Sequence, residues 1–447
     1  MRQNMKLMRS LLALILAAAA CTLLVLPALA DEENEDELTV EHCVSAYLYN
    51  FENDVVLFEY NPSEEVHPAS TAKLMTAIVV FDEYKDRLDT KITVTQDMLN
   101  EVSGNKIGFY AGEIVTVEQM LYCMLVNSAN DAAIILAHAT AGDTQSFVRL
   151  MNEKASWLGA FNTYYTNPTG MHDNAMVTTA RDTGIIAKYA YSIEGLVEMT
   201  STPKYVMDAT NINDYRSIYN RNGLVSRYYL SDYFYSRALG LNAGATSQGN
   251  YAVCGVAEDE TQGLTYLAVV LGAEEDEKTG DLYSFINAIN MFDWAFENYG
   301  MRTVLPASRA ICELPVNLSA TLDYVTLVPA EDITVFLPMA VDISKDIRYS
   351  YNTFSDALDA PIESGDEAGT ITVLYGDEIL GSCPLITTSS ITRSEFLNFL
   401  AKVKAFTKGR FFRGMIISLI VISVAYVFIK ASVREKKLRR LGGINRK

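Results

Sequence analysis

Residues 414–429 form an unbroken apolar run, GMIISLIVISVAYVFI, bracketed by Arg413 and Lys430. It is a little short of the ~20 residues that cross a bilayer as a helix. The two flanking cations can snorkel to the interfaces, so residues 413–430 read as a transmembrane helix. Arg434, Lys436, Lys437, Arg439, Arg440, Arg446 and Lys447 follow, and so basic a tail, residues 431–447, is expected to stay cytoplasmic. The opening stretch carries Arg2, Lys6 and Arg9, an apolar run and Ala28-Leu29-Ala30, the pattern of a secretory signal peptide over residues 1–30. Whatever folds between these segments folds outside the cell, anchored by a single pass.

Charge sharpens that division. With +3 on residues 1–30 and +12 on residues 401–447, a net charge of -19 leaves -34 on residues 31–400. So acidic a region is a poor ligand for nucleic acid, whose phosphates need Lys and Arg. Beyond the signal, Cys43, Cys123, Cys254, Cys312 and Cys383 are odd in number, widely spaced and free of any C-x-x-C pair. They read mostly as small buried residues. The four histidines are scattered without an H-E-x-x-H. No metal or other cofactor is expected.

About 370 extracellular residues imply two domains on length alone. After an acidic linker, residues 31–42, the segment 43–300 mixes strands and helices. AYLYNFENDVVLFEY reads as two strands around a Glu52-Asn53-Asp54 turn, STAKLMTAIVVFDEY and NDAAIILAHATA as helices, and YAVCGVAEDETQGLTYLAVVLGA as a hairpin. FINAINMFDWAFENYG reads as a closing amphipathic helix. Residues 306–390 change to short alternating strands between Gly, Pro and Asp turns, a small all-β domain. Residues 391–412, with RSEFLNFLAKVKAF, read as a juxtamembrane amphipathic helix along the membrane surface.

Ser70 and Lys73 stand three apart at the start of a predicted helix, so their side chains share one face. The pair offers a hydroxyl nucleophile beside an amine that can take its proton once burial lowers the amine's pKa. Alone, such spacing is more often a helix cap and a surface lysine. Ser128-Ala129-Asn130, between two helical runs, changes the odds, since S-x-x-K with an S-x-N element belongs to one known motif set. Ser103-Gly104-Asn105 spells S-x-N too, but in a polar turn without flanking helices, and reads as a decoy.

With both motifs in place the chain resembles the membrane-anchored serine D-alanyl-D-alanine carboxypeptidases, the low-molecular-mass penicillin-binding proteins. The likeness runs through HPASTAKLMTA, AGEIVTVEQMLYCMLVNSANDAA, YTNPTGMHD, TTARDTGIIAKYA and LAVVLGA, and DAPIESGDEAGTITVLYGDEILGSCPL is similar to the β-rich domain that follows in this family. The resemblance implies an α+β transpeptidase fold, a mixed sheet flanked by helices with a helical subdomain. It implies Ser70 as nucleophile on a stem peptide ending in D-Ala-D-Ala, Lys73 as general base, Ser128 as proton relay and Asn130 as a holder of the substrate amide. The oxyanion would rest on the backbone N–H groups of Ser70 and Ala245. Peptidoglycan stem peptides, β-lactam antibiotics and the membrane are the implied partners.

The family's third motif, Lys-Thr-Gly, departs here: Asn242-Ala243-Gly244 occupies its place. Lys278-Thr279-Gly280 spells the motif but lies in the acidic turn EEDEKTGDLYS, well past the strand, and reads as a solvated loop. Ser284 stands where the family often has an arginine for the substrate carboxylate. The loss of a cation beside Lys73 predicts an amine that holds its proton more tightly and a slower acylation. A weakened carboxypeptidase, a wall-binding scaffold and a β-lactamase stay open at this level, the anchored β-rich domain speaking against the last.

Overall fold

The computed structural model describes residues 38–245 and 251–442. The expected signal peptide, most of the acidic linker, the TSQGN stretch after Ala245 and the last five residues of the basic tail lie outside the described residues. The chain divides into two compact units, one ending at Asn298 and the other starting at Tyr299.

The first unit is built on a five-stranded sheet. Its strands are β1 (Ser45–Asn50), β2 (Val55–Tyr60), β3 (Ala238–Ala245), β4 (Tyr251–Asp259) and β5 (Leu264–Ala273), in the spatial order β2-β1-β5-β4-β3. The expected β1–β2 turn falls at residues 51–54. Every pairing in this sheet is antiparallel, in place of the mixed sheet expected. The reason is connectivity: β3, β4 and β5 follow one another directly, and short links join only antiparallel neighbours. β3 therefore ends up on an edge, with one side of its backbone free to face a ligand.

The helices include α1 (Ala72–Tyr84), α2 (Val117–Asn127), α3 (Asn130–Ala141), α4 (Thr144–Leu158), α5 (Ala180–Tyr191) and α6 (Tyr283–Asn298). α1 is apolar on nearly every side and is buried from Ala72 to Phe81, as a central helix must be. α2 opens with a capping box in which Thr116 and Gln119 satisfy each other's amides. α4 begins on Asp143 and stops at Gly159 in the left-handed region. These signals fix where each helix starts and ends, and so where the loops between them emerge.

The second unit carries β6 (Tyr299–Leu305), β7 (Cys312–Asn317), β8 (Tyr324–Pro329), β9 (Ile333–Pro338), β10 (Ile347–Thr353), β11 (Leu358–Asp359), β12 (Glu367–Tyr375) and β13 (Glu378–Thr387). Six form a sheet in the order β10-β12-β13-β8-β7-β11, and β6 pairs with β9. Leu327, Ile371, Val373 and Leu385 are buried in its core, on strands whose other side chains alternate outward. Helix α7 (Glu395–Lys408) keeps Phe396, Phe399, Leu400, Val403 and Phe406 exposed at helical spacing. Helix α8 (Arg410–Gly442) includes a 28-residue segment, Arg410–Lys437, long and apolar enough to cross a membrane. It continues past Lys430, so the start of the expected tail is helical.

Candidate active site

Ser70 sits in a single 3-10 turn, Ala69–Thr71, that runs directly into α1. Ala69 has φ 50°, a left-handed conformation that costs an L-residue about 1–2 kcal/mol. The strain is held by packing. A Cβ added at Gly170 would lie 1.9 Å from the Ala69 carbonyl oxygen, so only glycine lets the 168–171 segment close over this turn. Thr71 donates to the Pro68 carbonyl, and Thr76 Oγ1 donates to the Pro168 carbonyl at 2.7 Å.

Lys73 lies one turn along α1, fully buried. Its Nζ is 3.2 Å from Ser70 Oγ and also donates to the Thr169 carbonyl. Burial pulls its pKa from 10.5 down to about 7, because the charged form loses its hydration and gains no carboxylate. Enclosure supplies this shift with no neighbouring cation among its causes. In the neutral form one N–H can stay on Thr169, leaving the lone pair for the Ser70 hydroxyl proton.

Ser128 follows the last residue of α2 with φ 56° and ψ 37°. Its left-handed backbone reverses the chain within two residues, and α3 starts at Asn130. Ser103-Gly104-Asn105 holds this joint. Asn130 donates its amide N–H to the Asn105 carbonyl at 2.8 Å and its Nδ2 to the Ser103 carbonyl at 2.7 Å. Asn105 Nδ2 in turn donates to the carbonyls of Asn127 and Ser128 at 2.6 and 3.2 Å. The segment read as a decoy is thus a brace for the S-x-N element, a role invisible in sequence because its contacts are mostly to backbone.

The facing wall is β3. A Cβ at Gly244 would come within 2.3 Å of Ser70 Cβ and 2.8 Å of Ser70 Oγ, so glycine is required for the strand to pass Ser70. Asn242, two residues earlier, points to the same face. It is buried, and its Oδ1 has no partner among the described residues. A buried polar atom without a partner costs about 1–3 kcal/mol. Ala243, which stands in place of the threonine of the family pattern, is an apolar part of the wall.

Ser70, Ser128, Asn130, Ala243, Gly244 and Ala245 line one cavity of about 560 Å³. Lys73 and Asn242 stand behind its surface. The cavity is also lined by Thr169, Gly170, Arg221, Tyr251 and Glu275, which the motif reading missed, and by Ser284. Ser284 was noted only for a lost arginine; its Oγ is buried and unpartnered among the described residues. The Arg221 guanidinium lies over the Tyr229 ring, 5.1 Å from its centroid, and makes no salt bridge among the described residues. It is a cation left available to a ligand. Lys278 is exposed, and Asp276 accepts from the amides of Lys278 and Thr279, so that side chain belongs to a solvated turn as expected. Among the described residues no group of three His, Cys, Asp or Glu side chains could hold a metal ion.

A family profile described as D-alanyl-D-alanine carboxypeptidase matches residues 32–275, and one described as penicillin-binding protein 5, C-terminal domain, matches residues 299–393. The D-alanyl-D-alanine carboxypeptidase DacF of Bacillus subtilis is 27% identical over 376 residues, 83% of this chain and 91% of that protein. DacA of Escherichia coli is 25% identical over 417 residues, 89% of this chain and 96% of its own. Among solved structures, penicillin binding protein 5 from Haemophilus influenzae superposes with a TM-score of 0.55 at 22% identity, covering 80% of this chain and 99% of that one. Penicillin binding protein 6B from Escherichia coli gives 0.56 at 21%, covering 78% and 99%. At these identities the structural likeness speaks for the transpeptidase fold.

Proposed function

The chain belongs to the serine D-alanyl-D-alanine carboxypeptidase family of low-molecular-mass penicillin-binding proteins, and from that premise we propose that it removes the terminal D-alanine from peptidoglycan stem peptides through an acyl-enzyme on Ser70. The observation that carries this reading is the buried Lys73 amine, 3.2 Å from Ser70 Oγ with its pKa near 7. In the first half-reaction Ser70 Oγ bonds to the penultimate D-alanine carbonyl as its proton passes to Lys73. The carbonyl oxygen takes up negative charge against the backbone N–H groups of Ser70 and Ala245. Ser128 relays the proton to the leaving nitrogen, the C–N bond breaks, and D-alanine departs as an amine. In the second half-reaction water attacks the ester as its proton passes to Lys73, the bond between the acyl carbon and Ser70 Oγ breaks, and Lys73 returns the proton to Ser70 Oγ.

Asn130 holds the substrate amide in this scheme. Arg221, on the cavity wall without a carboxylate partner, serves as the cation for the terminal carboxylate, a task for which Asn242, Ala243 and Ser284 offer no positive charge. A β-lactam acylates the same serine. Fluorescent penicillin should label the full-length chain and leave Ser70→Ala unlabelled. Labelling that survives in Ser70→Ala sinks the assignment of the nucleophile. α8 anchors the chain in one pass, α7 lies along the outer membrane surface on its exposed phenylalanines, and the catalytic unit is extracellular. Protease added to wall-stripped cells should then release the ectodomain, and an uncut ectodomain would refute the topology.

A further inference from the structure

The cavity carries a negative charge that this chemistry does not use. Glu275 lines it, exposed to solvent at the mouth, and Glu275 Oε2 accepts a hydrogen bond from the Tyr251 hydroxyl. It forms no salt bridge among the described residues, and Lys278 in the following turn does not pair with it. Its backbone is fixed rather than loose: residue 275 bridges to Leu282 across the turn, and Tyr251 pairs with Ala245, the expected oxyanion residue. Ser284, two residues past that bridge and 1% exposed, lines the same cavity with an unpartnered Oγ. The wall therefore presents an anchored carboxylate with acceptor capacity that no described residue beyond Tyr251 fills, backed by a buried hydroxyl without a partner among the described residues. The Tyr251 hydroxyl is pushed up to about 12, first by that hydrogen bond, so it stays a donor to the carboxylate throughout the physiological range.

We propose that Glu275, held by Tyr251, is a specificity subsite that binds an ammonium group on the acyl side of the substrate, that is, the free side-chain amine of a diamino-acid residue preceding the two D-alanines. An ammonium has three donors and no acceptor, which fits this wall. The leaving residue is a D-alanine that brings a carboxylate, so only the acyl chain can bring the cation. Glu275 and Arg221, of opposite sign in one cavity, then read the two ends of the substrate. The inference rests on the carboxypeptidase reading only for the identity of the peptide.

Two tripeptides test it: Nα-acetyl-L-lysyl-D-alanyl-D-alanine with its side-chain amine free, and the same peptide with that amine acetylated. Their binding is measured to full-length Ser70→Ala in detergent, so that turnover plays no part. The free-amine peptide should bind about three- to tenfold more tightly, the range an incompletely desolvated ion pair supplies. The preference should vanish in Glu275→Gln, persist in part in Glu275→Asp, and weaken with salt. Glu275 is exposed, so neither change threatens folding. Equal binding of the two peptides, or a preference unmoved by Glu275→Gln, overturns the proposal. Penicillin labelling of Ser70 in the unmutated chain is read alongside. Labelling without the amine preference removes the subsite and keeps the carboxypeptidase, while the preference without labelling does the reverse.

Discussion

The two walls of the cleft are finished to different standards. On the nucleophile's wall Lys73 has Ser70 and Thr169 as partners, Thr76 has Pro168, and Gly170 lies flush on Ala69. Across the cleft, Asn242 Oδ1 on β3 and Ser284 Oγ at the start of α6 are buried without partners among the described residues, and Ala243 offers no polar group. The contrast teaches that reactivity and recognition have separate physical sources here. Burial lowers the Lys73 pKa to about 7, and the substitution of Lys-Thr by Asn-Ala is not among the causes of that shift. What that substitution removes is charge and hydrogen bonding toward the ligand.

The comparison can be broken most violently where the walls touch. Gly244→Ala puts a methyl group 2.3 Å from Ser70 Cβ, and displacing a reacting group by about 1 Å can cost on the order of 100-fold. Penicillin acylation should fall by that order while circular dichroism stays native. An acylation rate within a few-fold of the parent would mean that the strand does not abut the nucleophile.

Next in size is the pH dependence. With Lys73 near 7, the neutral fraction rises about tenfold between pH 6 and pH 8, and the acylation rate should rise with it and then level. A rate still climbing steeply through pH 9 would show a lysine that burial has not shifted. Stability must move in the matching sense. Between about 7 and 10.5 the unfolded chain binds a proton at Lys73 that the folded chain does not, so folding stability gains as pH rises through that window. Lys73→Met should therefore be more stable than the parent at pH 6, with an advantage that shrinks toward pH 10, as urea titrations would record.

Asn242→Lys with Ala243→Thr restores the strand motif and should have a smaller effect on penicillin acylation, within about tenfold, because Lys73 is already poised near neutrality. Its larger effect belongs on KM for D-Ala-D-Ala peptides, where a carboxylate gains partners. A rise well above tenfold in acylation with KM unmoved would return the motif lysine to the chemistry. Smallest of all, Asn242→Leu removes an unpartnered oxygen and should stabilise the fold by about 1 kcal/mol in urea titration. Destabilisation by the same amount would reveal a partner for that amide.

How far the site was legible follows from where its information resides. Ser70, Lys73, Ser128 and Asn130 are side chains of proposed chemical role at fixed spacing, and periodicity around them placed α1, α2 and α3. Gly244 was legible as a close approach of backbone to ligand. Thr169 acts through its carbonyl and Ser103 and Asn105 largely through backbone hydrogen bonds, and such roles leave no residue-type signature. Arg221 and Glu275 reach the cavity only through the fold, from positions 151 and 205 residues after Ser70. The antiparallel sheet was hidden for a different reason: strand patterns announce strands, and only connectivity settles their direction. The pKa of Lys73 depends on complete enclosure, a property of packing that no local pattern encodes.

The closure of residues 168–171 over the Ala69 turn has a consequence in time. Because burial alone holds the Lys73 pKa near 7, any opening that lifted Thr169 and Gly170 away would admit water, raise that pKa and leave a larger share of the amine charged. Amide hydrogen exchange at Gly170 and Met171 should report such openings, and warming should depress activity through them before the fold as a whole begins to melt.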